Sequence, residues 1–421
     1  MKLNLLLTGN ELMTGDTVDS NSAMIARYMA EHGWHVRRKL TVGDDLDELI
    51  AALRWFARDC DVLLVNGGLG PTVDDLTAQA LATACGVELV ENPLAMQHLE
   101  HWCGSIGIAI NAANRKQAIL PRGCVIVANP IGSAVGFSMQ LGDCRVICTP
   151  GVPRELDAML VQEILPALQR DFAVSGACVQ RFTLFGVGES GLQQKVSDTI
   201  PDWPAGVDLG FRVSFPQLEL KLSTADAQGR AAVAAIWPRL QPLIGDVMIG
   251  EGAVSLPQRL VELLRARGKR LTVAESCTGG QIAAAITQIP GASAVFDAGF
   301  VTYSNAMKHA LLQVDADLLE REGAVSEPVV RAMALGALRH TKADYAIAVS
   351  GIAGPDGGSE EKPVGTVWVA WGGADNIRTK RLHVRFKRLE FQKYVSWVGL
   401  DLIRRELLGI NAEPSYFGNR R

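Results

Sequence analysis

The segment Asp61-Val62-Leu63-Leu64-Val65 runs directly into the turn Asn66-Gly67-Gly68-Leu69-Gly70-Pro71-Thr72. A continuous apolar run of this length is typical of a strand that is buried on both faces of a sheet. A glycine-rich turn after such a strand is where parallel α/β sheets bind phosphate groups. The segment therefore predicts a parallel sheet with a phosphate-binding edge.

The same alternation of strands and helices extends over residues 1–168. Leu3–Leu7 and Val36–Val42 are predicted strands, and Ser22–His32 is a predicted helix that ends at a glycine. Asp47–Asp59 is also predicted to be helical, because its apolar residues recur at spacings of three and four. We expect an α/β layered domain with a largely parallel sheet.

Two further regions follow in the chain. Residues 169–252 read as a small α+β module, with strands at Phe182–Phe185 and Leu218–Leu222 and a helix near Leu192–Thr199. A second helix is predicted over Ala231–Trp237 only, because Pro238 and Pro242 would interrupt anything longer. Residues 253–412 return to the α/β alternation, with these predicted elements: helices Leu256–Arg267, Gln281–Ile289 and Ser326–His340, and strands Leu271–Ala274, Gly299–Tyr303, Tyr345–Val349 and Val364–Trp371.

Composition excludes several classes of protein. The 421 residues are 48% hydrophobic and 20% charged, which is unlike a disordered chain, a coiled coil or a disulfide scaffold. The formal charge of −4 provides no basic field for nucleic acid. The one strongly basic run, Thr379–Arg388, is expected to be a solvated edge between a strand and a helix.

The cysteines and the apolar runs indicate a cytoplasmic protein. The eight cysteines are scattered, no Cys-x-x-Cys pair occurs, and the nearest two, Cys144 and Cys148, have no histidine nearby to complete a zinc site. We expect free thiols in a reducing compartment. No segment approaches the length of a membrane span, and the apolar run at Leu3–Leu7 is too short for a signal peptide.

The first candidate for chemistry is Glu275-Ser276-Cys277-Thr278-Gly279-Gly280, at a predicted junction of a strand and a helix. A serine in such a turn can be a nucleophile that faces backbone N–H donors. The alternative is that Ser276 or Thr278 merely caps the helix. A second junction, Val301–Lys308, places Lys308 in a first helical turn after a cap at Ser304 or Asn305.

Lys308 is the candidate base for that serine. The helix dipole disfavours a cation in the first turn, and partial burial would lower the pKa of the lysine further. Serine activated by lysine is a known variant of the serine–histidine arrangement. The alternative is a solvated lysine in an exposed turn. A third element, the loop Ser350–Gly358, leaves backbone groups free to contact a substrate.

Together these residues resemble the C-terminal domain of the CinA family. The resemblance rests on four motifs in order, with a continuation at Lys362–Val367: Ala274–Gly280, Tyr303–Lys308, Gly323–Ser326 and Gly351–Gly358. It implies a nicotinamide-nucleotide amidase, which hydrolyses nicotinamide mononucleotide to nicotinic acid mononucleotide and ammonia. It also implies a cytoplasmic homodimer that needs no cofactor for this reaction.

The resemblance assigns roles to individual residues. Ser276 would attack the carboxamide carbon, Lys308 would accept its proton, and Tyr303 would place or protonate groups in the site. The expected substrate contacts are Thr278, Gly279, Gly280, Asn305, Gly351, Ala353 and Gly354. One departure stands at Arg385–Glu390, where the family usually has Phe-x-Gly-Asp-Arg and this chain lacks the glycine. That departure puts edge packing or an oligomer contact in doubt.

The glycine-rich turn of the first domain continues into Asp74 and Asp75. Their carboxylates could hold a divalent cation that bridges to phosphate, although adjacent side chains point apart and only one would ligate directly. The alternative is helix capping. The segment Asn114–Gln117 offers cations for phosphate.

This region resembles the N-terminal domain of the CinA family, which is related to molybdopterin-binding proteins and has a three-layer fold. The resemblance implies metal-dependent hydrolysis of ADP-ribose to AMP and ribose 5-phosphate. It makes Asp74 and Asp75 ligands of Mg²⁺ or a similar ion, and it adds these phosphate contacts: Gly67, Gly68, Gly70, Thr72, Asn114 and Lys116. Residues 169–252 resemble the family's KH-like module, without the basic Gly-x-x-Gly clamp that binds RNA.

Other classes of function remain open at this point. The chain could bind a molybdopterin-like ligand without catalysis, or serve as an accessory protein in competence or DNA damage. One of its domains could also be a catalytically inactive scaffold. Intact Ser276 and Lys308 argue against an inactive C-terminal domain.

Overall fold

The structure is a computed structural model that describes residues 1–172, 178–224 and 226–418. The chain packs as two compact units. The first consists of Met1–Val179 with Thr224–Arg230, and the second of Gln180–Ser223 with the chain from Ala231 onward. The predicted boundaries at 168 and 252 stay predictions, and the second unit holds most of the predicted middle module together with the C-terminal region.

The first unit contains eight strands and eight helices among its described residues. The strands are β1 (Leu3–Thr8), β2 (Val36–Val42), β3 (Val62–Asn66), β4 (Leu89–Glu91), β5 (Ile119–Pro121), β6 (Val125–Val127), β7 (Gly136–Leu141) and β8 (Cys144–Thr149). The helices are α1 (Asn10–Thr14), α2 (Asn21–Glu31), α3 (Leu46–Ala57), α4 (Thr77–Cys85), α5 (Pro93–Ile106), α6 (Ala112–Lys116), α7 (Pro153–Met159) and α8 (Leu165–Asp171). A π-helical turn, Leu160–Ile164, joins α7 to α8.

The main sheet of this unit has the order β2-β1-β3-β8-β7-β6. Its first four strands are parallel, and β7 pairs antiparallel with both β8 and β6. Successive residues of β1 point to opposite faces, so that Leu6 packs with Phe56 of α3 and Leu5 packs with Met29 of α2. The expected three-layer α/β fold is therefore confirmed.

The middle region forms a four-stranded sheet of order β10-β11-β9-β12. Its elements are β9 (Cys178–Phe185), α9 (Glu189–Thr199), β10 (Val207–Ser214), β11 (Gln217–Thr224), α10 (Ala227–Ile244) and β12 (Met248–Glu251). The prediction that a helix ends at Trp237 is wrong, because α10 continues through Pro238 and Pro242. The two prolines lack N–H donors, but Leu240 between them and Ile244 after them are fully buried in the core of the sheet.

The C-terminal region has a five-stranded sheet of order β14-β13-β15-β16-β17. Its strands are β13 (Leu271–Glu275), β14 (Phe296–Val301), β15 (Tyr345–Gly351), β16 (Thr366–Gly372) and β17 (Arg378–His383). Its helices are α11 (Leu256–Ala266), α12 (Gln281–Thr287), α13 (Asn305–Leu312), α14 (Ala316–Glu322), α15 (Glu327–Arg339) and α16 (Arg388–Leu408). Short 3₁₀ turns occur at Ala292–Ala294 and Ser415–Phe417.

Helices cover both faces of this sheet. Ile347 and Val349 of β15 share one core with α11, α12 and α16, while Ala346 and Ala348 share the other with α15. β13 lies between two parallel neighbours, so its carboxyl end opens at an edge where loops from β14 and β15 also emerge. Across the described ranges, no helix is both long and apolar enough to cross a membrane.

Candidate active site

Ser276 lies at the carboxyl end of β13, in the turn that leads to α12. Its backbone N–H donates to the carbonyl of Val349 (3.1 Å), which prolongs the pairing of β13 with β15 by one residue. The side chain of Ser276 is almost fully buried. The parallel sheet therefore fixes the backbone position of this serine.

Lys308 reaches the same point from α13. Ser304, rather than Asn305, caps this helix by accepting a hydrogen bond from the N–H of Met307 (3.2 Å). Lys308 then falls in the first turn and is only 1% exposed. Its Nζ lies 3.1 Å from Ser276 Oγ. The same Nζ lies 2.9 Å from the carbonyl oxygen of Thr302 and 3.3 Å from that of Tyr303.

Burial favours the neutral form of this lysine. Burial lowers the pKa of Lys308 from its ordinary value, and no carboxylate of the described residues forms an ion pair with it. A neutral amine has two N–H donors and one lone pair. In the neutral form, with its two N–H groups donated to the carbonyls of Thr302 and Tyr303, the amine has a lone pair that can accept the hydroxyl hydrogen of Ser276. The pair can therefore move a proton from serine to lysine.

Glu275 caps α12, a role that the sequence analysis missed. Its buried carboxylate accepts hydrogen bonds from the N–H groups of Gly280 and Ile282 (3.1 Å each) and of Ala283 (2.9 Å). It also accepts one from the hydroxyl of Thr278 (2.6 Å). The alternative that a serine or threonine side chain caps this helix is wrong, because a carboxylate holds these N–H groups. The available signal was an acidic residue at the end of an apolar strand, just before a glycine pair.

Two N–H groups remain available beside the serine. Neither Cys277 nor Thr278 donates its backbone N–H to another residue within the described parts of the chain. Gly279, in contrast, donates its N–H to the carbonyl of Ser276 (3.2 Å). Backbone donors next to a nucleophile are the groups that stabilise an oxyanion.

Helix α16 contributes two residues that sequence reasoning did not assign. Arg388, its first residue, donates to the hydroxyl of Tyr303 (2.8 Å) and to the carbonyl of Gly354 (2.8 Å). One turn later, Gln392 donates to the carbonyl of Cys277 (2.8 Å). The amino end of α16 is thus hydrogen-bonded to each of the three segments that contain predicted site residues, at Cys277, Tyr303 and Gly354.

The remaining predicted substrate contacts are dispersed. Asn305 is exposed at the start of α13, next to the largely exposed Tyr303. Gly351 pairs with Val367 inside the sheet, and Ala353 is buried in the core. In the third loop, the carbonyl of Gly354 accepts a hydrogen bond from Arg388, which also donates to the hydroxyl of Tyr303.

The first unit contains a cavity of about 540 Å³ at its glycine-rich turn. Six predicted residues line it: Gly67, Gly68, Gly70, Thr72, Asp74 and Asp75. Gly67 and Gly68 adopt φ values of +109° and +67°, a region that glycine tolerates best. A Cβ atom on Gly67 would lie 2.5 Å from the carbonyl oxygen of Thr8, so the turn needs glycine there.

The other predicted phosphate contacts differ in their positions. Lys116 lines a smaller adjoining cavity and donates to the carbonyl of Thr72. Asn114 forms a reciprocal capping box with Asn111 at the start of α6. Its side chain lines neither of these two cavities.

The carboxylates at this cavity do not form a ready-made metal centre. Asp75 accepts hydrogen bonds from the N–H (2.8 Å) and the hydroxyl (2.5 Å) of Thr72, while Asp74 is exposed. The described ranges contain no group of three or more His, Cys, Asp or Glu side chains that could hold a metal ion. One carboxylate with phosphate oxygens and water is nevertheless a sufficient ligand set for Mg²⁺.

Comparison with known proteins identifies the two domains that carry these sites. Residues 253–407 match the CinA C-terminal domain, and residues 4–170 match the probable molybdopterin binding domain. A CinA-like protein of Colwellia psychrerythraea is 51% identical over 100% of this chain and 98% of its own length. The chain belongs to the CinA family.

Further relatives of the family match over nearly their whole length. A CinA-like protein of Citrifermentans bemidjiense is 40% identical over 98% of this chain and 99% of its own. Among solved structures, the competence/damage inducible protein CihA of Agrobacterium tumefaciens is 41% identical, with 36% of this chain and 93% of that chain covered and a TM-score of 0.35. The molybdopterin biosynthesis enzyme MoaB of Thermus thermophilus is 20% identical, with coverages of 40% and 92% and a TM-score of 0.28.

Proposed function

We propose that the C-terminal site hydrolyses the carboxamide of nicotinamide mononucleotide. The observation that carries the proposal is the contact between the buried Nζ of Lys308 and Ser276 Oγ (3.1 Å). Membership of the CinA family and the four sequence motifs support nicotinamide mononucleotide as the substrate.

In the first half of the reaction, Ser276 Oγ attacks the carboxamide carbon while its proton passes to Lys308 Nζ. The negative charge that develops on the carbonyl oxygen is held by the free N–H groups of Cys277 and Thr278. The C–N bond then breaks, and Lys308 returns the proton to the leaving nitrogen, which departs as ammonia. An ester between Ser276 and the nicotinic acid group remains.

In the second half, water attacks this ester and Lys308 accepts a proton from the water. The bond between Ser276 and the acyl carbon breaks, and the proton returns to Ser276 Oγ. Nicotinic acid mononucleotide is released. These steps use residues of this chain alone, and we expect the amidase to be active without a metal.

The test is ammonia release from nicotinamide mononucleotide in the presence of a chelator. We expect Ser276→Ala to lower kcat by about 1,000-fold or more, because the nucleophile is lost. The matched control is Cys277→Ala in the adjacent buried position, where burial raises the pKa of the thiol to about 12 and keeps it unreactive. Equal rates in the wild-type protein and Ser276→Ala would contradict the proposal.

We further propose that the N-terminal cavity hydrolyses ADP-ribose to AMP and ribose 5-phosphate. The supporting observation is the cavity of about 540 Å³ that the glycine-rich turn lines. Backbone N–H groups at such a turn bind phosphate oxygens. Asp74, whose carboxylate is exposed, would hold a divalent cation that neutralises the diphosphate.

This second activity is tested by measuring AMP formation from ADP-ribose in the Ser276→Ala variant, which removes the amidase. We expect AMP formation to stop when a chelator is added and to return when Mg²⁺ or another divalent cation is restored. Hydrolysis that continues unchanged in the chelator would contradict a role for the metal. No AMP with any cation would contradict the activity itself.

A further inference from the structure

The hairpin between β10 and β11 reaches the C-terminal region through one aromatic residue. Phe215, at its tip, meets the ring of Phe386 edge-on, with centroids 5.1 Å apart and planes at 83°. Phe386 in turn lies 5.2 Å from Tyr394 of α16. Phe215 packs against the core of the C-terminal sheet rather than the core of its own sheet.

Phe215 has two ring partners, Phe386 at 5.1 Å and Tyr394 at 6.3 Å. The nearer one, Phe386, stands next to the candidate site. Phe386 precedes Arg388 by two residues, and it occupies the stretch in which this chain departs from the pattern usual in the family. Arg388 holds both the hydroxyl of Tyr303 and the carbonyl of Gly354 at 2.8 Å. A short, packed path therefore connects the hairpin of the middle module to two loops of the site.

We propose that Phe215 is a positioning residue for the amidase, acting through Phe386 on Arg388. The inference rests on the proposed amidase function. The ring of Phe215 restricts the backbone just before α16, so that Arg388 begins the helix in the orientation that reaches Tyr303 and Gly354. The middle module thereby takes part in the reaction without touching the substrate.

The test compares two phenylalanines of the same hairpin. Phe215→Ala is expected to lower kcat/KM for nicotinamide mononucleotide by about 2- to 10-fold, the range that an edge-to-face aromatic pair supports. The conservative variant Phe215→Tyr, which keeps the aromatic ring, should retain the wild-type kcat/KM. The matched control is Phe211→Ala, since Phe211 of β10 packs on the core of its own sheet and should leave the rate unchanged.

Two further readouts separate positioning from a general loss of structure. In an Arg388→Ala background, Phe215→Ala should have almost no additional effect on kcat/KM, because both changes act through one guanidinium group. An effect that remains undiminished in that background, or that Phe211→Ala reproduces, would overturn the proposal.

Amide hydrogen exchange distinguishes a failure of this proposal from a failure of the amidase assignment. Phe215→Ala should speed exchange in residues 384–392, whereas Phe211→Ala should not. If the wild-type protein releases no ammonia, the proposed function has failed, but this exchange result still tests the packing path. Unchanged exchange in Phe215→Ala would overturn the path itself.

Discussion

The serine site of the C-terminal region and the glycine-lined cavity of the first unit are organised differently. At the serine site, Lys308 is buried beside Ser276 and its Nζ is fixed by two carbonyls. At the cavity, the carboxylate of Asp75 accepts hydrogen bonds from Thr72, and Asp74 is exposed. One site has a buried amine beside its serine, and the other has polar groups without a preformed metal centre among the described residues.

This difference is the one that the two proposed chemistries would require. Acyl transfer by a serine needs a neutral base, and a lysine is neutral near physiological pH only where burial has lowered its pKa. That environment must be built by the fold. A diphosphate brings its own negative charges, which recruit cations and N–H donors when it binds. We therefore expect the serine site to depend on burial and the cavity to depend on added metal.

The strongest way to break this contrast is Lys308→Met, which keeps the apolar stem and removes the base. We expect ammonia release to fall by about 1,000-fold, while AMP formation from ADP-ribose is unchanged. In the wild-type protein, kcat/KM should rise with pH through the lowered pKa of Lys308, below its ordinary value of 10.5, because the neutral form is the base. A wild-type profile that is flat or falling across that range would show that lysine does not accept the proton.

A smaller effect is expected at Glu275, which holds the serine turn rather than the substrate. Glu275→Gln would direct an amide group at N–H donors that now meet a carboxylate, and we expect a loss of about 1–3 kcal/mol in the free energy of unfolding. Denaturant unfolding measures this loss. The control is Glu262→Gln on α11, whose partly exposed ion pair with Arg259 should contribute less than about 1 kcal/mol. Equal losses in the two variants would contradict the capping role.

The sequence predicted most of the architecture, because periodicity reports burial directly. The strands Leu3–Leu7 and Asp61–Val65 and the helix Asp47–Asp59 appear within two residues of their predicted bounds, as β1, β3 and α3. The error at α10 shows the limit of local rules. Two prolines argue against a helix, but the buried residues Leu240 and Ile244 stabilise it through tertiary contacts.

The candidate site was predictable where its residues lie at junctions of a strand and a helix. Ser276 and Lys308 could be found because each follows a strand at one edge of a parallel sheet. Arg388 and Gln392 could not, since their partners lie between 34 and 115 residues away in the chain. Arg388 also ends the basic run that the sequence predicts to be a solvated edge. Sequence spacing carries no information about such distant packing.

The first unit shows a related limit. Asn114 and Lys116 both looked suited to bind phosphate. The fold uses Asn114 to cap α6, and Lys116 bonds to the carbonyl of Thr72. A polar residue near a glycine-rich turn can hydrogen-bond to the local backbone instead of binding a phosphate. Its chemistry alone does not distinguish these two roles.

The most direct test of the account is to trap the covalent intermediate. Wild-type protein would be mixed with nicotinamide mononucleotide, quenched in acid and digested, and the peptide that contains both Ser276 and Cys277 would be sequenced by mass spectrometry. The account predicts an acyl ester on Ser276 that is absent from Ser276→Ala and unchanged in Cys277→Ala. A label on Cys277, or ammonia release with no acylated peptide at any quench time, would contradict it.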